Sequence, residues 1–148
     1  MDDRAGDWIV ETNEVDRRFH TIGEVLGHLE GLEAQPSGQA SVRVARVPVS
    51  GWKRFLGVVG QDSPCFAVEW DGPYASLIFH DDAWSEYRAI DESHPVQPTE
   101  DQRRRIAHGE LTPHPLEECM DKARAFTAMR EYFGGRARPS WLKYRYIR

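Results

Sequence analysis

The chain has 148 residues, 40% of them hydrophobic and 29% charged, with a net charge of −5. A chain of this length can bury a core as one domain (1–148) without metal or disulfide staples, and its negative charge argues against sequence-independent nucleic-acid binding. The acidic start, MDDRAGDW, lacks the apolar core of a signal peptide, and no apolar run is long enough to span a bilayer. Cys65 and Cys119 both lie in apolar patterns and read as buried reduced thiols. A cytoplasmic protein is expected.

The first element is a short strand over Trp8–Glu11. A helix follows: Thr21 is a good N-cap, Glu24 stands three residues later, and Ile22, Val25, Leu26, Leu29 and Leu32 form one stripe. Gly23, Gly27 and Gly31 recur every fourth residue, which suggests a face packed closely on a sheet. Residues 34–39 read as a loop. Ser41–Val49 is valine-rich and reads as a strand; its apolar phase shifts between Val44 and Val47, and Pro48 suits an edge or an end. Lys53–Gly60 is a further strand candidate.

Cys65–Asp82 is the clearest stretch. Phe66, Val68 and Trp70 share one face of a strand, Asp71-Gly72-Pro73 makes a tight turn, and Ala75, Leu77 and Phe79 share a face of the next. Apolar residues on both faces of the second strand place it centrally, covered on both sides. Beyond Asp82 the chain is polar and irregular, and residues 91–100 read as a loop. Arg103–His108 could be a short strand. Pro115 suits the first position of a second helix, with Leu116, Cys119, Met120, Ala123, Phe126 and Phe133 on its apolar face and Gly134-Gly135 as its stop. Ser140–Ile147 closes the chain as a strand. The order predicts an α+β fold: a mainly antiparallel sheet of about five to seven strands with two principal helices packed on it.

Motifs that carry chemistry are sparse. His80, Asp81 and Asp82 could supply metal ligands or acid–base groups, but neighbours on a strand point to opposite faces. Apolar surroundings keep the two thiols inert. No serine sits in a G-x-S-x-G context, and Gly57–Gly60 lacks the rest of a nucleotide-binding fingerprint. Arg103-Arg104-Arg105 is too short for a nucleic-acid site in an acidic chain. Charge is nevertheless uneven. Residues 80–92 carry five acids against Arg88, and the last fourteen residues carry five bases and no acid. Solvated faces explain such runs; so does an acidic docking surface for a basic partner. Trp84 and Tyr87 lie among the acids, a composition typical of interface hot spots.

Three local patterns carry a resemblance. They are the capped helix after a short strand (Glu14–Glu33), the hairpin Phe66–Tyr74, and the ending Pro115-Leu-Glu-Glu, Ala123, Ala125-Phe126, Tyr132-Phe133-Gly134-Gly135-Arg136, Arg138-Pro139 and Trp141. In these the chain resembles the first numbered family of immunity proteins of bacterial polymorphic toxin systems, typically encoded beside deaminase-superfamily toxins. The resemblance implies a non-catalytic, cofactor-free inhibitor that covers the active site of a toxin protein, with neither nucleic acid nor membrane as partner. Residues 81–109 match nothing in that family and are where partner specificity would lie. Asp81, Asp82, Trp84, Glu86 and Tyr87 are the expected partner surface. The alternative is a small metal-binding protein or hydrolase built on the His80/Asp81/Asp82 end.

Overall fold

The computed structural model describes residues 8–13, 15–45, 63–81 and 85–147. The strand expected over Lys53–Gly60 and the edge role of Pro48 lie outside these residues. Eight strands are described: β1 (Trp8–Thr12), β2 (Asp16–Phe19), β3 (Ser37–Val44), β4 (Ser63–Asp71), β5 (Tyr74–Phe79), β6 (Tyr87–Ile90), β7 (Met120–Asp121) and β8 (Lys143–Tyr146). The helices are α1 (Ile22–Glu33), α2 (Glu100–Arg105) and α3 (Lys122–Gly135), with a 3-10 turn over Leu116–Glu118. The strands pair antiparallel in the order β2-β1-β3-β4-β5-β6-β8. The fold is α+β, as the order of elements predicts.

The hairpin stands at the centre. Gly72 takes φ 58° in the turn, the left-handed conformation that Gly adopts without steric cost. Phe66 to Asp71 then pair in continuous register with Phe79 to Tyr74. Between β3 and β4 the register slips: Val42 faces Phe66, but Arg43 faces Pro64. Cys65 is the extra residue. Such a bulge turns two consecutive side chains inward, and both Cys65 and Phe66 are buried in the core.

The front face of the sheet carries that core. Trp8, Val10, Val42, Phe66, Val68, Trp70, Leu77 and Phe79 meet Val25, Leu29 and Leu32 of α1 and Phe126, Met129 and Phe133 of α3. Aromatic edges set the packing: Trp70 meets Phe126 at 5.3 Å and Trp8 meets Phe133 at 5.1 Å between ring centroids, both T-shaped. The back face of β4 and β5 is covered by the segment from α2 to the 3-10 turn. Ser76 and Ile78 of β5 are therefore buried as well, which is why this strand reads as apolar on both sides.

Several expectations change. Residues 103–108 are not a strand. Thr99 and Gln102 form a capping box, and the arginines fill the last turn of α2, where cations are favoured. The second long helix begins at Lys122, not at Pro115. Met120 and Asp121 pair first with Ala75 and Tyr74, and Asp121 then caps the helix by accepting from the Arg124 N–H at 3.2 Å. The buried face shifts accordingly to Ala125, Phe126, Ala128, Met129 and Phe133, and Ala123 is exposed. β3 begins inside the segment read as a loop, and β2 and β6 arise where no strand pattern was visible. The glycine row of α1 faces outward: a Cβ on Gly27 or Gly31 would meet nothing within 4 Å, because Val25, Leu29 and Leu32 take the inward side. No described helix is long and apolar enough to cross a membrane.

Candidate functional site

Two of the predicted surface residues meet at the β6–β8 edge of the sheet. Tyr87 opens β6 and Tyr146 lies opposite it on β8, with ring centroids 5.1 Å apart. The Arg138 guanidinium lies over Tyr87 at 3.7 Å and over Tyr144 at 4.8 Å, and its Nη2 is 3.4 Å from the Asp81 carboxylate. One arginine thus joins Asp81 to two tyrosines, and Tyr87 in turn meets Tyr146. Tyr146 is 61% exposed, and its strand is the last in the sheet. Alternation turns Glu86 to the opposite side, where it stands 3.8 Å from Arg88 and both side chains are mostly buried. Asp82 and Trp84 lie outside the described residues.

The uneven charge of the sequence is largely matched within the fold. Arg138 pairs with Asp81, Lys143 with Glu92 at 3.4 Å, and Arg124 with Asp91. Arg145 makes two bonds of 2.9 Å to the fully buried Glu118 carboxylate. Burial alone would raise the Asp91 carboxyl; hydrogen bonds from Arg124 and Ser93 outweigh it and hold the group below the usual range. Two bases of the C-terminal stretch, Arg138 and Lys143, thus pair with acids of residues 80–92, while Arg145 serves Glu118 outside it.

The His80 end separates as alternation requires. His80 Nδ1 donates to the Ser85 carbonyl at 2.7 Å, while Asp81 turns to Arg138. Among the described residues no group of three or more His, Cys, Asp or Glu is arranged to hold a metal ion. Burial raises both thiols, Cys119 to about 12.

A polar constellation on the back of the sheet has no counterpart in the sequence reading. Ser76 Oγ is 2.5 Å from the Ile106 carbonyl and 2.6 Å from His108 Nε2, and His108 Nδ1 is 3.7 Å from Glu69 Oε1. The residue types are those of a catalytic triad, but the protons run the wrong way. A carbonyl can only accept, so the single hydroxyl proton goes to Ile106. His108 Nε2–H then donates to Ser76, and Nδ1 presents a lone pair to Glu69. A serine nucleophile needs its own proton accepted at Nε2 and an Nδ1–H toward the acid. Ser76 is also fully buried. Burial pushes Glu69 up to about 6, the His108 backbone N–H acting against it. Burial pushes His108 down to about 4 and His114 to about 3.

Comparison with protein-family models, with curated proteins and with solved structures gives no match for this chain. The chemistry is therefore read from the geometry. The edge offers aromatic area, one ion pair and a strand that, among the described residues, pairs on one side only. The back face offers a half-buried carboxylate beside a neutral imidazole. Tyr87 and Asp81 were visible in the sequence as an aromatic among acids. Glu69, Ser76 and His108 were not, since each alone is an ordinary strand or loop residue and only the β4–β5 pairing with the loop after α2 assembles them.

Proposed function

We propose that the chain is an immunity protein of the kind it resembles. It binds and neutralises a cognate bacterial toxin, a nucleic-acid deaminase being the expected class, by covering the toxin's active site. The observation that supports this most is the β8 edge. Tyr146 is exposed beside Tyr87, Tyr144, Arg138 and Asp81, on a strand that, among the described residues, pairs on one side only. Tyrosines bury large areas at low entropic cost, and edge strands readily add a partner strand. Asp81 belongs to this patch, and with Asp82, the next residue in sequence, it brings the negative charge that a basic substrate groove selects.

The test is direct. The chain is co-expressed with a toxin domain encoded immediately beside its gene, and growth rescue and complex affinity are measured. Rescue and a tight one-to-one complex are expected. Tyr146→Ala should weaken that complex roughly tenfold or more without loss of fold, since the side chain is largely exposed. Joint charge reversal at Asp81 and Asp82 should slow association, most clearly at low salt. Absence of any complex sinks the functional reading. A complex indifferent to both variants keeps the function and moves its surface elsewhere.

A further inference from the structure

Glu69 and His108 together line a pocket of about 130 Å³ on the back of the sheet, whose other walls include Glu11, Thr12, Gln39 and Ser41. Gln39 and Glu69 also line an adjoining pocket of about 270 Å³ that reaches Asp71 and Arg105. The acids around this groove differ in their partners. Glu11 is bound by Arg43 at 3.0 Å and Asp71 by Arg105 at 3.1 Å. For Glu69, among the described residues, the neighbour within ion-pair range is His108.

His108 cannot neutralise that carboxylate. Its Nε2–H is committed to Ser76, so the nitrogen 3.7 Å from Glu69 carries a lone pair. A carboxylate and an imidazole lone pair at this separation are two acceptors side by side, both bordering the same pocket. One group satisfies both: a cation with several N–H donors. We infer that this pocket receives a guanidinium group, which donates to the Glu69 carboxylate and to His108 Nδ1. The planar fork of a guanidinium fits two neighbouring acceptors better than an ammonium point charge, and its weaker hydration lowers the cost of entering a half-buried site. Gln39, Ser41 and Thr12 add oxygens along the walls. The volume suits a side-chain head group; pockets for whole metabolites or drug-sized ligands run to roughly 300 Å³ and above. The chemistry is shared by an arginine of a bound protein and by a free guanidino compound. The inference does not depend on the toxin reading.

The charged surroundings are compatible with this inference. Burial holds the His108 pKa down most, and Arg88 and His80 lie close enough to lower it further; Arg88 also acts on His114 and is itself met by Glu86 at 3.8 Å and Glu110 at 3.9 Å. Arg105 is engaged by Asp71 and Arg43 by Glu11 and Asp16. The group that changes charge near neutrality in the pocket is Glu69, at about 6, whereas His108 stays neutral down to about 4.

The test titrates methylguanidinium chloride into the full chain and follows the imidazole signals of His108 by NMR. A saturable one-site shift is expected. Glu69→Gln keeps the shape, removes the charge, and should weaken binding roughly tenfold or more. Lowering the pH from about 7.5 to about 5 should do the same in the wild-type chain, since Glu69 is then protonated and His108 is not. Tetramethylammonium, a cation without N–H donors, should leave the signals unchanged at equal ionic strength. A blocked Gly-Arg-Gly peptide that binds as well as methylguanidinium assigns the site to a protein arginine; marked preference for the free compound assigns it to a small ligand. The inference is overturned by no saturable response in the folded wild type, by equal binding in folded Glu69→Gln, or by an equal response to tetramethylammonium.

Discussion

Gly38 lies on β3 directly under the indole of Trp70. A Cβ at this position would stand 2.7 Å from Trp70 Cζ2 and 3.0 Å from Cη2. The indole has nowhere to go. Its Nε1–H donates to the Gln35 carbonyl at 3.0 Å, and its ring meets Phe126 edge-on. Gly38→Ala should therefore cost about 1–3 kcal/mol, the usual penalty for overpacking a filled core, measured by urea denaturation. In a Trp70→Phe background the two clashing carbons are gone and the added methyl should cost clearly less. Equal cost in both backgrounds would place the effect in the backbone rather than in this contact. The contrast with Gly72 explains what the sequence could say. Gly72 needs its own φ of 58°, a property readable from Asp-Gly-Pro alone. Gly38 needs a neighbour brought in by strand pairing, and no local pattern announces that. The same holds for Glu69, Ser76 and His108, whereas Tyr87 was visible because its chemistry contrasts with the acids beside it.

Elements divide along the same line. Where the decisive chemistry is local, the reading matches the structure: the Thr21 cap of α1 and the central hairpin. The end of α3 falls where expected but by other means: Gly134 and Gly135 are its last helical residues, and Arg136, not a glycine, takes φ 53° and donates its N–H to the Tyr132 carbonyl. Where tertiary pairing competes, the reading does not match. Pro115 is a good helix opener, yet the next residues make a single 3-10 turn and a two-residue strand before α3 starts. The cause lies on β5. Its later residues, Ile78 and Phe79, pair with β6, while Tyr74 and Ala75 are left to pair with Met120 and Asp121. Filling that part of the ladder decides against the longer helix. If this is right, Asp121 is the true N-cap. Asp121→Ala should lower stability by about 1 kcal/mol and speed exchange of the Arg124 amide, and Asp121→Asn should keep most of the effect. Pro115→Ala should leave that amide untouched. The reverse pattern would mean that the helix begins at Pro115 after all.

Across the whole molecule the two faces of the sheet are different materials. The front is packed with aromatic and aliphatic side chains. Over β5 and part of β4 the back is covered by a segment that brings His108, His114 and the Glu118–Arg145 pair against the strands. That polar layer makes the fold sensitive to acid, and the sign follows from three groups. Burial pushes His108 down to about 4 and His114 to about 3, against 6.5 in an unfolded chain. Above pH 6.5 both are neutral in either state and contribute no pH dependence. Below it the unfolded chain takes up protons that the fold refuses, so stability falls as pH drops toward the folded values. Glu69 acts the other way. Its folded value of about 6 lies above the ordinary 4.5, so the fold binds that proton first and gains stability between the two. Two histidines with large shifts outweigh one glutamate with a smaller one. Unfolding free energy should thus be level above about pH 6.5 and fall below it, at up to about 1.4 kcal/mol per pH unit for each net proton taken up on unfolding. Glu69→Gln should raise stability near neutral pH and steepen the acid limb, because it removes the opposing group. His108→Gln and His114→Gln should each flatten that limb. Denaturant titrations across this pH range in the three variants separate the contributions, and an acid limb indifferent to both histidine changes would assign the sensitivity to carboxylates such as Asp91, whose lowered pKa has the same sign but acts at lower pH.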